Sequence, residues 1–137
     1  ENDLASTAED GDVGPTRVRK VLRDVQIDSI GAFVTVEVQT LDEALAAAES
    51  WAERMLEHEE GVKLNIMLDN MGPELTRDAV LDIETRGLRG YVTIEASGNI
   101  VFEELGAWQS SKVDIISTSG LHRAAPPLDL TCIFEGV

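Results

Sequence analysis

Short apolar, β-branched runs alternate with amphipathic helical segments along most of this chain, and the alternation restricts the possible folds. Strands are predicted near 32–38, 63–68, 91–95 and 113–117, with a last extended segment over 128–134. Helices are predicted over 16–27 and 41–59, from Gly72 onward, and in a segment that carries Phe102, Leu105 and Trp108. Alternation over short connections is typical of βαβ units, in which the strands are parallel and the helices cover the outside.

The predicted fold class is therefore α/β: a partial (β/α) barrel, or an open parallel sheet of four to five strands with outer helices. A closed (β/α)8 barrel needs eight strands, which is more than this chain supplies. Residues 15–137 form the predicted barrel domain, and residues 1–14 form an extended acidic arm without apolar periodicity. The second helix has the clearest start signal, because Thr40 and Glu43 have the spacing of a capping box.

The charge of the chain excludes one large class of partner. Its 26 acidic and 11 basic residues give a formal net charge of −15, which repels a phosphate backbone, so we expect no nucleic-acid binding.

No apolar run approaches the roughly 18 residues of a membrane span, although attachment to a membrane-bound complex stays open. The lone cysteine, Cys132, has no second cysteine to pair with and is predicted to be a buried apolar residue. The acidic, lysine-poor composition fits a high-salt host or an organelle, and we expect a plastid or mitochondrion rather than the cytoplasm.

Polar and small residues follow the predicted strands at the positions where (β/α) barrels carry their functional groups. The four strand ends supply Glu37, then Asp69 and Asn70, then Glu95 with 97–99, then 117–120. Small residues at strand ends let backbone N–H groups approach phosphate oxygens, and carboxylates hold ribose hydroxyls or a phosphate-bound magnesium ion. The pattern is compatible with a phosphorylated sugar as ligand. The same residue types also occur as ordinary helix caps and turns, so both interpretations stay open.

Four strings carry a family resemblance and occur in order along the chain. They are VTVEVQTLDEAL at 34–45, IMLDNMGPE at 66–74, EASGNI at 95–100, and VDIISTSGL with APPLDL at 113–130. Together they resemble the C-terminal half of the barrel of quinolinate phosphoribosyltransferase, also called carboxylating nicotinate-nucleotide pyrophosphorylase. The EASGN form, with Asn99, is most similar to plant-type members. The resemblance covers part of a barrel and has several departures, which implies a truncated and diverged relative.

The resemblance implies residue roles that the spacing alone does not assign. The family makes nicotinate mononucleotide from quinolinate and phosphoribosyl pyrophosphate, with magnesium, and releases pyrophosphate and carbon dioxide. By resemblance, Glu37 and Asp69 lie on the ribose and magnesium side of the site. The phosphate loops are implied at Ser97, Gly98, Asn99, Ser119 and Gly120.

Other positions depart from the family's pattern. Arg123 stands where the family has a histidine in the last loop, Val101 replaces a helix-capping threonine, and Lys112 replaces a glycine. Quinolinate is a dianion whose binding needs clustered arginine and lysine side chains, which the family keeps in its N-terminal domain and first barrel strands. Only Arg123 is predicted on the active face. Solvated surface positions are predicted for four arginines on or beside the outer helices, Arg54, Arg77, Arg86 and Arg89.

Three functional hypotheses follow. The first is a non-catalytic structural or interaction subunit of a larger assembly, which binds other protein subunits and needs no cofactor. The second is the C-terminal part of an active quinolinate phosphoribosyltransferase of NAD biosynthesis, which uses magnesium with phosphoribosyl pyrophosphate and holds no metal through protein groups alone. The third is a small sugar-phosphate-binding module. The first is favoured because a dicarboxylate site is missing, and we expect the isolated chain to be inactive.

Overall fold

A computed structural model describes residues 13–26, 33–57 and 61–120 of this chain. Most of the predicted acidic arm, the extended segment over 128–134, Cys132 and Arg123 lie outside the described residues. Predictions made for them therefore stay predictions.

The described residues form a parallel sheet in the order β1-β2-β3-β4, with helices between successive strands. The strands are β1 (Val34–Val38), β2 (Leu64–Asp69), β3 (Val92–Ser97) and β4 (Ile115–Ile116). The helices are α1 (Val13–Asp24), α2 (Leu41–Met55), α3 (Gly72–Thr85) and α4 (Leu105–Trp108), with 3-10 turns at Arg89–Tyr91 and Phe102–Glu104. All three strand pairings are parallel. The predicted α/β fold with a parallel sheet is confirmed.

The two faces of the sheet have opposite characters because successive strand residues point to opposite sides. On one face, buried residues such as Ile66, Leu68 and Ile94 join the core formed with α2 and α3. We call the other face the open face, because none of the described helices covers it. The residues of the open face are Thr35, Glu37, Asn65, Met67, Asp69, Thr93, Glu95, Ser97 and Ile115.

Helix α2 supplies much of the core, and its sequence explains where it begins. Thr40 is the N-cap, and its hydroxyl oxygen accepts a hydrogen bond from the Glu43 N–H at 3.2 Å, as in a capping box. The Glu43 carboxylate accepts from the N–H of Gln39, one residue before the cap, at 2.9 Å. Trp51 is fully buried, and its indole N–H donates to the Val62 carbonyl at 2.7 Å. The predicted packing role of this tryptophan is therefore confirmed.

Two arginines that were predicted to be solvated surface residues tie separate elements together instead. Arg54 donates to the carbonyls of Leu22 and Val25 and so fastens the end of α1 to α2. Arg89 lies 2.8 Å from Asp114 and also donates to the Val92 carbonyl at 3.2 Å. The prediction was wrong for these two because local spacing does not show which carbonyls the fold brings within reach of a long side chain. Arg77 and Arg86 have half-exposed side chains, as predicted.

A three-residue ion network joins α1, α2 and the end of α3. Glu49 of α2 lies 2.7 Å from Arg19 and 2.8 Å from Arg86. The hydrogen bond from Arg19 is the main reason that the pKa of Glu49 lies below its usual range, and the charge of Arg86 acts in the same direction. The network therefore holds α1 against α2 through a carboxylate that stays ionised at neutral pH.

Lys112, where the family resemblance implies glycine, has a left-handed backbone with φ of 59°. Such a conformation costs a non-glycine residue about 1–2 kcal/mol, and the Lys112–Glu84 ion pair is 3.4 Å long with a lysine side chain 65% exposed. We expect Lys112→Gly to raise the free energy of unfolding by about 0.5–1 kcal/mol in urea titrations. Lys112→Ala is the control, because it removes the ion pair and keeps the left-handed strain. A gain in stability from the alanine variant equal to that from glycine would contradict the explanation.

Candidate functional site

Three of the residues proposed for the site lie at one edge of the sheet, on the open face. Glu37 is the fourth residue of β1, while Asp69 and Ser97 end β2 and β3 and are register partners. Parallel strands place their carboxyl ends at the same edge, so these side chains belong to one rim. Asp69 also accepts a hydrogen bond from the Gln39 side chain at 3.4 Å. The fold brings the predicted residues together, and their roles stay predictions.

The turns after β2 and β3 are locked to each other by two asparagines and a glycine. Asn70 and Asn99 have left-handed backbones, with φ of 56° and 51°. The Asn70 N–H donates to the Ser97 carbonyl at 2.9 Å, and the Asn99 side-chain amide donates to the Asn70 side-chain oxygen at 2.8 Å. Gly98 has φ of 92°, and a Cβ there would lie 2.7 Å from the Asn70 backbone nitrogen. Only glycine allows the two turns to approach this closely.

A cavity of about 380 Å³ opens above these turns. Its lining consists of small or neutral polar residues from three strand ends: Asn70, Ser97, Gly98, Asn99, Ser117, Thr118 and Ser119. Thr118 folds back into its own loop, because its hydroxyl donates to the Ile100 carbonyl and accepts from the Gly120 N–H at 2.9 Å. Four of the residues implied as phosphate loops therefore line one cavity, and Gly120 lies beside it.

Glu95, which the sequence predicts at the third strand end without assigning it a role, is the centre of a hydrogen-bond network. It is only 8% exposed, although it lies on the open face, level with Glu37 through their shared register partner Met67. Asn65 of β2 donates to one of its carboxylate oxygens at 2.6 Å, and the Ser117 hydroxyl donates to the other. Its position in the string EASGNI at a strand end was visible in the sequence, but its central place in a network across β2, β3 and β4 depends on the register of the sheet.

A second cavity, of about 500 Å³, lies on the open face. Its walls mix apolar and polar side chains: Phe33, Thr35, Val62, Lys63, Asn65, Met67, Thr93, Glu95 and Ile115. Phe33 is 72% exposed and Ile115 is 42% exposed, so apolar surface surrounds the polar centre.

Within residues 13–26, 33–57 and 61–120, no group of three or more histidine, cysteine or acidic side chains is placed to hold a metal ion. Magnesium commonly binds through one or two carboxylates and completes its shell with water and substrate phosphates. Glu37 and Asp69 fit that requirement, because each supplies one carboxylate at the rim.

No described helix is long and apolar enough to cross a membrane.

A parallel sheet that is covered by helices on one side, with polar residues at its carboxyl edge, defines a segment of a (β/α) barrel protein. The family model described as the quinolinate phosphoribosyl transferase C-terminal domain matches residues 13–132. This chain therefore belongs to the quinolinate phosphoribosyltransferase C-terminal domain family.

Similar proteins carry matching names. A probable carboxylating nicotinate-nucleotide pyrophosphorylase of Methanothermobacter thermautotrophicus is 36% identical over 104 residues, which are 76% of this chain and 33% of that protein. The carboxylating nicotinate-nucleotide pyrophosphorylase of Rattus norvegicus is 31% identical over 113 residues, which are 82% of this chain and 33% of that protein. The chain thus spans about a third of the length of these curated relatives.

Solved structures agree with this assignment. The nicotinate-nucleotide pyrophosphorylase of Francisella tularensis is similar with a TM-score of 0.54 and 28% identity, over 73% of this chain and 30% of that one. A NadC deletion mutant has a TM-score of 0.56 and 28% identity, over 76% of this chain and 32% of that one. The described sheet and helices therefore correspond to part of a known barrel.

Proposed function

We propose that this chain is a non-catalytic subunit derived from a quinolinate phosphoribosyltransferase barrel, and that it works by binding another polypeptide. The observation that carries the proposal is the open face. On this face the exposed side chains of Phe33 and Ile115 and the buried side chain of Glu95 line one cavity of about 500 Å³. An apolar and polar surface of this kind is typical of a face that another protein element covers.

The positions of the basic side chains support a non-catalytic role. Arg19 and Arg86 are paired with Glu49, and Arg54 and Arg89 bind carbonyls of their own chain. Within the described part of the chain, no arginine or lysine lies at the rim formed by the strand ends. A dianion such as quinolinate needs paired cationic donors, so the described rim does not offer it a complete site.

The residues at the strand ends support a second candidate function, in which the chain is the C-terminal part of an active quinolinate phosphoribosyltransferase. Glu37 and Asp69 lie at the edge where Ser97 begins the turn above the cavity of about 380 Å³. In that case the carboxylates would face the ribose of phosphoribosyl pyrophosphate and its magnesium ion, which neutralises the leaving pyrophosphate. The remaining cationic residues would come from another part of the enzyme.

The test is product formation by the purified full chain, supplied with quinolinate, phosphoribosyl pyrophosphate and magnesium. The expected result is no nicotinate mononucleotide above the background of a Glu37→Gln, Asp69→Gln double variant. The rat relative, assayed in parallel, shows that the conditions support turnover. Product that forms with the chain and disappears in the double variant would overturn the proposal and establish the second candidate.

A further inference from the structure

We propose that the outer side of α1 is a second interaction surface, which binds an acidic peptide segment of a partner protein. The surface consists of the exposed side chains of Arg17, Lys20, Val21 and Arg23, and we call it the basic face. It lies on the helix-covered side of the sheet, because α1 packs on α2 in the core and no described helix covers the open face. The inference therefore does not depend on the binding proposed for the open face.

Positive charge is concentrated in this one helix. Four of the 11 basic residues of the chain lie between residues 17 and 23, within α1. The single acidic residue of the helix is Asp24, at its C-terminal end. Helix α1 is thus locally positive in a chain whose formal net charge is −15.

Three of the four cations of α1 have no acidic partner. Arg19 is neutralised within the chain, because it lies 2.7 Å from Glu49 of α2. Arg17, Lys20 and Arg23 are exposed and make no ion pair with any residue that the structure describes. Acidic residues are abundant in this chain, yet the fold leaves these three cations available to another molecule.

The spacing of the basic face fits a short peptide. Residues three apart on a helix are neighbours on its surface, so Lys20 lies between Arg17 and Arg23. At 1.5 Å per residue, the three positions span about 9 Å along the helix axis. Val21, one turn from Arg17, is 54% exposed and adds apolar surface. A segment with two or three carboxylates and one apolar side chain matches this surface, because guanidinium groups bind carboxylates through paired hydrogen bonds.

Other anionic partners fit the basic face less well. A nucleic acid extends beyond a patch of about 9 Å and meets the negative charge of the rest of the chain. A basic helix binds a lipid surface by inserting its apolar side, but Val18, Leu22 and Val25 of α1 are packed into the core. A short acidic peptide covers only the patch, and salt screens more distant charges beyond about 8 Å at physiological ionic strength.

The experiment uses a pentapeptide of sequence EELEE, blocked at both ends, and its neutral counterpart QQLQQ. Each is titrated into the isotopically labelled full chain and followed by amide NMR. We expect saturable shifts at Arg17, Lys20 and Arg23 with EELEE, and binding at least about tenfold weaker with QQLQQ. Titration of the unmodified chain at high salt is a second measurement that needs no variant, and we expect EELEE binding to weaken there.

Charge removal at the basic face is compared with charge removal elsewhere. The test variant carries Arg17→Gln, Lys20→Gln and Arg23→Gln, and we expect its affinity for EELEE to fall at least about tenfold. The control variant removes three exposed cations outside α1, and we expect its affinity to stay within about twofold. Its substitutions are Lys63→Gln, Arg77→Gln and Lys112→Gln. Because both variants lose the same charge, the comparison separates the local surface from the overall charge.

Equal affinity for the two pentapeptides, or equal losses in the test and control variants, would refute the inference. Displacement of EELEE by a lower concentration of hexathymidylate or of phosphatidylserine vesicles would assign the basic face to a nucleic acid or a lipid surface and overturn it.

The acidic residues at the start of the chain are a further possible occupant, and one variant tests them. It replaces the five acidic residues of the segment 1–12 by their amides: Glu1, Asp3, Glu9, Asp10 and Asp12. We expect unchanged affinity for EELEE. A gain of about tenfold or more would show that this segment occupies the basic face, in place of a partner protein.

Discussion

Gly98→Ala is expected to lower the free energy of unfolding by about 3 kcal/mol, from left-handed strain and steric overlap acting together. The residue has φ of 92°, where any side chain is strained. A Cβ would also lie 2.5 Å from the Asn70 side-chain oxygen and 2.7 Å from the Asn70 backbone nitrogen. The backbone atom cannot move without breaking its 2.9 Å hydrogen bond to Ser97. Urea unfolding followed by circular dichroism measures the loss.

Gly87→Ala is the matched control for this prediction. Gly87 has φ of 72°, but an added Cβ there meets no atom within 4 Å. Its expected cost is therefore the backbone strain alone, about 1 kcal/mol. Similar losses in the two variants would show that the contact between the β2 and β3 turns is looser than the structure describes.

Trp51→Ala is expected to cost about 3–5 kcal/mol, which is a large part of the stability of a domain of this size. The side chain is fully buried among the small residues Ala47 and Ala48 and the strand residues of the core. Its removal leaves a large cavity and also exposes the Val62 carbonyl, which accepts the indole N–H at 2.7 Å. Thermal and urea unfolding of the full chain measure this effect.

Trp51→Phe separates the two contributions. Phenylalanine retains most of the aromatic volume and loses the hydrogen bond, so we expect a loss of about 1–2 kcal/mol. If the phenylalanine variant lost as much stability as the alanine variant, the hydrogen bond to Val62 would dominate and the packing argument would fail.

The order of elements was predictable because it depends on local periodicity. Runs such as 34–38 and 64–69 have the alternation and β-branched content of strands, and the capping box at Thr40 marks the start of α2. The ends were less predictable. Helix α2 ends at Met55, earlier than its apolar pattern indicates. The predicted helix that carries Phe102, Leu105 and Trp108 is a 3-10 turn followed by four residues of α-helix. Val101 explains part of this shortness, because it provides no side-chain cap.

The candidate site shows the same division between local and long-range information. Parallel pairing follows from the alternation, so the shared rim of Glu37, Asp69 and Ser97 was accessible from the sequence. The network of Glu95 with Asn65 spans residues 30 apart and depends on strand register. The contact between Gly98 and Asn70 depends equally on how two turns meet in space. Sequence spacing alone identifies neither.

The edges of the described sheet are unequal. Strand β1 offers five residues of backbone, whereas β4 has two. An incoming strand therefore finds a longer template at β1 than at β4. Among the described strands, growth of the sheet by strand addition has a direction, outward from β1.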